Sequence, residues 1–168
     1  MEMRRLFLEQ LELEAESSRR AIERVPEGMN GWKPHARSMD LGHLAALVAA
    51  MPGWIAMMIE NDEVDMNAAG ATLRTKPVGT RAELVAMLDK GLEESRRALK
   101  ATTDEHLRKT WTLKMNGQVL TKGPRYTNIR DGALSHLAHH RGQLTVYLRL
   151  NEALVPSIYG PSADEFYA

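Results

Sequence analysis

Three of the six histidines of this chain fall in one short run, Ser135-His136-Leu137-Ala138-His139-His140. On a helix, His136 and His140 stand one turn apart and project from the same face, a spacing that lets two imidazoles bind one metal ion. His136 and His139, at i and i+3, are able to do the same, so spacing leaves the pair open. Helical phase adds Gly132, Gln143 and Tyr147 to the His136/His140 stripe. Gly132 would leave open space before His136, and Gln143 would set an amide beside the pair. Tyr147 would line a pocket or, on a plainer reading, serve as a core aromatic. Two ligands hold an ion weakly, and the natural third is His43, near the start of another helical pattern; its plainer reading is a satisfied buried histidine. His35 reads as a loop residue and His106 as a surface one.

Neutral imidazoles bring no negative charge, so a divalent ion held by three of them keeps its full charge and at least one open position. Such an ion lowers the pKa of a bound water to about 7 or polarises a carbonyl. Imidazole suits zinc, nickel, copper and iron; zinc or nickel is the expectation here. No catalytic acid or base stands out. Asp131 lies five residues before His136, which turns its side chain about 140° away on a regular helix. Glu60, Asp62 and Glu63 sit at the far end of a helical pattern and read as solvated. Arg141 and Arg149 suit a substrate, a dimer contact or a solvated face.

The rest of the composition narrows the partners. The chain has 168 residues, 22 Lys+Arg against 22 Asp+Glu, no Cys and 43% hydrophobic content. That length suits a single domain over 1–168, which buries roughly two thirds of its unfolded surface. Without cysteine there is no disulfide, thiolate metal site or Cys nucleophile. Zero net charge gives no broad field for gripping phosphate backbones. The local basic group Lys109, Lys114, Lys122, Arg125 and Arg130, with Trp111 and Tyr126 among it, leaves nucleic acid as the last-ranked partner. The N-terminus has no signal-type apolar core, because Glu9, Gln10 and Glu12 interrupt it. Leu41–Ile59 carries His43, Pro52 and Gly53 with helical periodicity, so it reads as a bundle helix and not a membrane span. A cytoplasmic protein is the expectation.

These side chains need elements to position them. Leu8, Leu11, Ala15, Ser18, Ile22 and Val25 form one helical stripe, stopped by Pro26-Glu-Gly28. The segment Asn30–Arg37 reads as an ordered loop. Ser38 or Asp40 caps a second helix with Leu41, Leu44, Val48, Met51, Ile55 and Met58 on its stripe. Pro52 inside it predicts a kink, not an end. Asn61–Gly79 reads as a long connection. Thr80-Arg-Ala-Glu83 is a capping box opening a third helix with Leu84, Leu88, Gly91, Ser95 and Leu99. Thr102–Leu107 reads as at most a helical turn. Trp111, Leu113 and Met115 alternate with polar residues before Asn116-Gly117, which predicts a small hairpin. A fourth helix over about Thr127–Asn151 carries the histidine run, and the tail Glu152–Ala168 reads as irregular. The expectation is an all-α antiparallel four-helix bundle with a small hairpin before the last helix.

The run Asp131-Gly-Ala-Leu-Ser-His136-Leu-Ala-His-His140-Arg-Gly-Gln143-Leu-Thr-Val-Tyr-Leu-Arg149 resembles the last bundle helix of the DinB family. Upstream, Trp32-Lys-Pro-His-Ala-Arg-Ser-Met-Asp-Leu-Gly-His43-Leu resembles that family's Trp-Lys-Pro loop, and Val155–Glu165 resembles the ending of many members. The resemblance implies an up-down-down-up bundle with a metal on His43, His136 and His140, leaving His139 out. It also implies a homodimer and a metal-dependent enzyme acting on a small molecule. Thiol-dependent S-transferase-type chemistry with a low-molecular-weight thiol is the leading expectation. A metal-dependent hydrolase and a non-catalytic metal-binding or stress-related interaction protein are the alternatives.

Overall fold

The stripes read from the sequence become the inner faces of four helical rods. The computed structural model describes residues 2–67 and 79–166. Helix α1 (Met3–Ile22) buries Phe7, Leu11, Ala15, Ser18 and Ile22, the spacing of one helical face. The second rod is α2 (Leu41–Ala50), a single 3-10 turn over Met51–Gly53 and α3 (Trp54–Glu60). Asp40 caps α2, its carboxylate accepting the His43 N–H at 2.8 Å. Leu41, Leu44, Val48, Met51, Ile55 and Met58 are all buried. The rod from Leu41 to Glu60 is long and apolar enough to cross a membrane, yet 67% of that window is buried inside the protein, as a bundle core helix would be.

The expected kink at Pro52 is repaired from outside the rod. An interior proline costs a helix about 3 kcal/mol through the lost N–H and the ring clash. Here Ser95 Oγ donates to the Pro52 carbonyl at 2.7 Å and accepts the Ala56 N–H at 3.1 Å. One buried hydroxyl therefore stands between the two backbone groups that a regular helix would join directly. Ser95 lies on α4 (Arg81–Ala101), which opens with the expected capping box of Thr80 and Glu83. Close approach makes this bridge possible: a Cβ on Gly91 would stand 2.9 Å from the backbone nitrogen of Gly53.

Between the third and fourth rods, α5 (Asp104–Arg108) is the expected helical turn. The hairpin forms from β2 (Thr110–Met115) and β3 (Gln118–Pro124), with Asn116 and Gly117 at φ 52° and 78°. Both values suit the type I′ turn that Asn-Gly favours. The all-α expectation needs correcting here, because the hairpin is not alone. Strand β1 (Glu63–Asp65) pairs in parallel with β2, Val64 opposite Leu113, giving a three-stranded sheet in the order β1-β2-β3. Asp65 locks the arrangement, its carboxylate accepting the N–H groups of Asn116 at 3.0 Å and Gly117 at 2.6 Å. A strand of that length carries almost no alternation of its own, and its partner lies far along the chain. The remainder of the long connection expected over 61–79, residues 68–78, lies outside the described residues.

The fourth rod is not one regular helix. It begins as α6 (Arg125–Asn128), passes through a π-helical segment over Ile129–Ser135 and continues as α7 (His136–Leu150). In the tail, expected to be irregular, α8 (Ala163–Phe166) adds a short turn of helix. Cross-rod contacts give the relative directions. Arg96 pairs with Glu12 and Arg19 with Asp89, so α1 and α4 run antiparallel. Gly53 meets Gly91 and Glu60 pairs with Arg97, so α3 and α4 run the same way. Tyr147 reaches the Met39 carbonyl while Trp54 packs on His136, so the second rod and α7 are antiparallel.

Two arginines read from the sequence as surface groups are buried. Arg125, expected in the local basic group, has a side chain with no exposure. It donates to the carbonyls of Met58, Asn61 and His106 and pairs with Asp62, satisfying carbonyls left open at the ends of α3 and α5. Lys114 pairs with Glu63 and Arg130 with Asp131. Trp111 is buried in the core and so does not stand among the exposed Lys109 and Lys122 as a stacking ring. Arg141, read as a substrate contact, dimer contact or solvated group, is 1% exposed and pairs at 2.6 Å with Glu14, itself buried on α1. Tyr159 from the tail donates to the same carboxylate at 2.9 Å and accepts from Arg141 at 2.6 Å. The trio ties the tail to two rods.

Candidate metal centre

His136 begins α7 and His140 follows one turn later. Their Nε2 atoms face each other at 2.9 Å, with ring centroids 4.5 Å apart. His140 is buried and donates from Nδ1 to Gln143 Oε1 at 2.8 Å. A neutral imidazole with its proton on Nδ1 carries its lone pair on Nε2, so Gln143 fixes the tautomer that aims a lone pair at the space between the rings. Burial holds the His140 pKa below the ordinary histidine value. Gln143 opposes that shift, and the neighbouring His136 and His139 add to it. The unprotonated form that a metal requires is thereby favoured.

The separation tests whether an ion fits. Two donors 2.9 Å apart, each bonded to one ion at about 2.0–2.1 Å, subtend an angle of roughly 90°, where a tetrahedral site would hold them about 3.3 Å apart. The pair therefore fits as two neighbouring ligands of one ion, and the donor set suits a transition metal.

The other candidates fall as follows. His139 is exposed, with its ring centroid 5.0 Å from that of His140 and 6.4 Å from that of His136. His43 sits half-buried on the first turn of α2. The rod that carries it packs against α7 and runs antiparallel to it. Among the described residues no three His, Cys, Asp or Glu side chains stand together as a ready metal-binding set. His35 lies in the loop before α2, its Nδ1 accepting the Arg37 N–H, and His106 Nε2 meets the Ile59 carbonyl at 2.9 Å.

Tyr147 is half-buried, donates to the Met39 carbonyl at 3.2 Å and packs edge-on against Trp32 at 5.4 Å. It anchors the Trp32 loop to the start of α2. That loop is also pinned by Leu41 N–H to the Trp32 carbonyl and Gly42 N–H to the Asn30 carbonyl. A Cβ on Gly42 would stand 2.9 Å from Asn30 Cβ, so glycine is what lets the loop close beside His43. The space expected at Gly132 is taken, since a Cβ there would meet Met58 Cε at 3.4 Å. Asp131 pairs with its neighbour Arg130 and takes no part in the histidine cluster. The sequence offers Trp54 as a packing anchor flanking the second helix and does not link it to the histidines; its indole lies 6.0 Å from the His136 ring at a tilt of 58°. The only sequence signal was its position just past the proline kink.

No family model matches the chain. It is 25% identical over 162 residues to a protein of Bacillus subtilis (strain 168) named Uncharacterized protein YrdA, across 95% of this chain and 90% of that one. The crystal structure of a DinB-like protein, YjoA, from Bacillus subtilis superposes with a TM-score of 0.69 at 18% identity, covering 94% of this chain and 99% of that one. A DinB-like protein from Bacillus cereus ATCC 10987 gives 0.68 at 21% identity, covering 91% and 95%. The chain therefore has the DinB-like fold, as the resemblance carried by its histidine helix implied.

Proposed function

We propose that this protein binds one divalent transition metal ion, zinc or nickel, through His136 and His140 with His43 as third ligand, and uses it on a small-molecule substrate. The observation that carries this reading is the facing pair of Nε2 atoms at 2.9 Å, one of them held in the ligand tautomer by Gln143. His43 supports it by lying on the rod packed against α7, on a turn that Asp40 caps and that the Tyr147–Trp32 contact holds in place.

When bound, such an ion supplies a cationic position that favours a thiolate over its thiol. With no cysteine in the chain, a thiol must come from outside, so thiol-dependent S-transferase-type chemistry with a low-molecular-weight thiol is the specific reading. The relative directions of the rods support the up-down-down-up order. Exposed Val146, Leu150 and Leu154 support a second copy of the chain as partner, and the same reading takes the protein to be cytoplasmic.

Elemental analysis of untagged protein tests the metal directly, with about one ion per chain expected. His43→Ala, His136→Ala and His140→Ala each lose it, and His139→Ala keeps it. Equal loss from His139→Ala and His140→Ala refutes the ligand assignment. Metal-loaded protein that conjugates none of several bacterial thiols to an electrophile sinks the S-transferase reading and leaves the ligand assignment standing.

A further inference from the structure

The two histidines of α7 are held by different means. His140 is buried and its Nδ1 is bonded to Gln143. His136 is exposed, and among the described residues no hydrogen bond holds its Nδ1. Metal-binding histidines ordinarily have a partner on the second nitrogen that fixes the ring. What His136 has instead is an aromatic neighbour, the half-buried indole of Trp54 at 6.0 Å and 58°, within the range where tilted aromatic pairs attract.

The indole is itself firmly placed. Trp54 follows immediately after the 3-10 turn of the second rod. That turn is clamped to α4 by the Ser95 hydroxyl between Pro52 and Ala56 and by the contact of Gly53 with Gly91. A regular helix through Pro52 would point residue 54 in another direction, since a 3-10 turn winds about 120° per residue against about 100° in an α-helix, roughly 60° over its three residues. The break therefore aims the indole.

Resting on the metal-binding reading above, we propose that Trp54 is a positioning residue for the metal centre. It holds the His136 imidazole in the ligand orientation by ring contact, in the place a hydrogen-bonding partner occupies at other metal-bound histidines.

The test is nickel and zinc affinity, measured by chelator competition on the full chain, for wild type, Trp54→Leu, Trp54→Phe and Gln143→Leu. Urea unfolding of each metal-free variant separates folding from binding. Trp54→Leu is expected to weaken nickel affinity on the order of tenfold, comparable with Gln143→Leu, as loss of a ligand-orienting group does. Trp54→Phe keeps a ring in contact and is expected to stay within about twofold of wild type. If Trp54→Leu does not fold, Trp54→Met, which fills similar space without a ring, takes its place with the same expected loss. Wild-type affinity in the folded Leu or Met variant overturns the proposal. A loss in Trp54→Phe as large as in Trp54→Leu overturns it as well, because ring contact would then not be what matters. Emission gives a second readout: bound nickel quenches nearby indoles, so quenching should fall in Trp54→Phe to what the remaining Trp32 and Trp111 give, and quenching equal to wild type there refutes the proximity. A wild-type protein that takes up neither metal overturns the three-histidine reading itself, and this proposal with it.

Discussion

Ser95→Ala is the sharpest test of how the second rod is built. The hydroxyl is fully buried and makes two bonds at once, to the Pro52 carbonyl at 2.7 Å and from the Ala56 N–H at 3.1 Å. Removing it leaves a buried donor and a buried acceptor without partners, each costing about 1–3 kcal/mol. The two groups face one another along the rod, so part of the loss is recovered if they close into an ordinary helical bond. A net loss of about 2 kcal/mol is therefore expected, which lowers the melting temperature of a chain this size by about 4–8 °C. The assay is urea unfolding followed by circular dichroism, with the slope of the transition unchanged. Pairing the change with Pro52→Ala sharpens the test. Restoring the N–H at position 52 lets the rod close as a regular helix, so Ser95→Ala should cost about 1 kcal/mol less in that background. The reasoning fails if Ser95→Ala unfolds at the wild-type urea concentration, or if the two changes simply add.

Further predictions concern the buried charges, the hairpin and the Trp32 loop. Arg141→Met should destabilise by about 3–5 kcal/mol, because Glu14 is left as a buried unpaired carboxylate, and Arg141→Met with Glu14→Met should recover much of it in urea unfolding. Backbone N–H groups, that of Gly117 first and then those of Asn67 and Asn116, hold the Asp65 carboxyl below its ordinary pKa of 3.8. The charged form is thus favoured in the folded state. The resulting stability is fully present above the unfolded pKa and lost as pH falls through the folded one. Melting temperature should therefore be insensitive to this group from pH 7 to about 5 and fall below about pH 4, with a shallower fall in Asp65→Asn. Gly42→Ala forces Asn30 aside and should cost about 1–3 kcal/mol by thermal melting, with weaker nickel uptake as well because His43 is the next residue.

Much of the frame was legible because its signals are local. The stripe from Leu41 to Met58, the Thr80–Glu83 box and the Asn116-Gly117 turn each depend on residues a few positions apart, and each forms as read. His136 and His140 were legible for the same reason, being one helical turn apart. What escaped depends on partners distant in sequence. Glu14 and Arg141 lie 127 residues apart along the chain yet share a buried contact, so each reads as surface when taken alone. β1 exists only because β2 offers it an edge. Ser95 looks like a small residue on an apolar stripe until Pro52 is packed against it. The place of Gln143 beside His140 was anticipated by helical phase, whereas the contact of Trp54 with His136 was not, because its direction depends on the broken rod.

The π-helical segment gives the fourth rod an adjustable phase. Arg125 locks the beginning of the rod to α3 and α5, and the histidine pair lies beyond the segment. Widening the coil between a fixed anchor and a working face sets the angle between them in the way a keyed coupling sets the angle between two shafts. One residue removed from Ile129–Ser135 with ordinary winding restored leaves His136 and His140 facing nearly the same way, because six residues at about 100° each wind about as far as seven in the wider coil. In this fold, then, the direction in which the two imidazoles look out depends on the winding of the segment before them as well as on the side chains around them. A residue gained or lost without that change of winding would turn all of α7 by about 100° and carry Arg141 away from Glu14 together with the imidazoles.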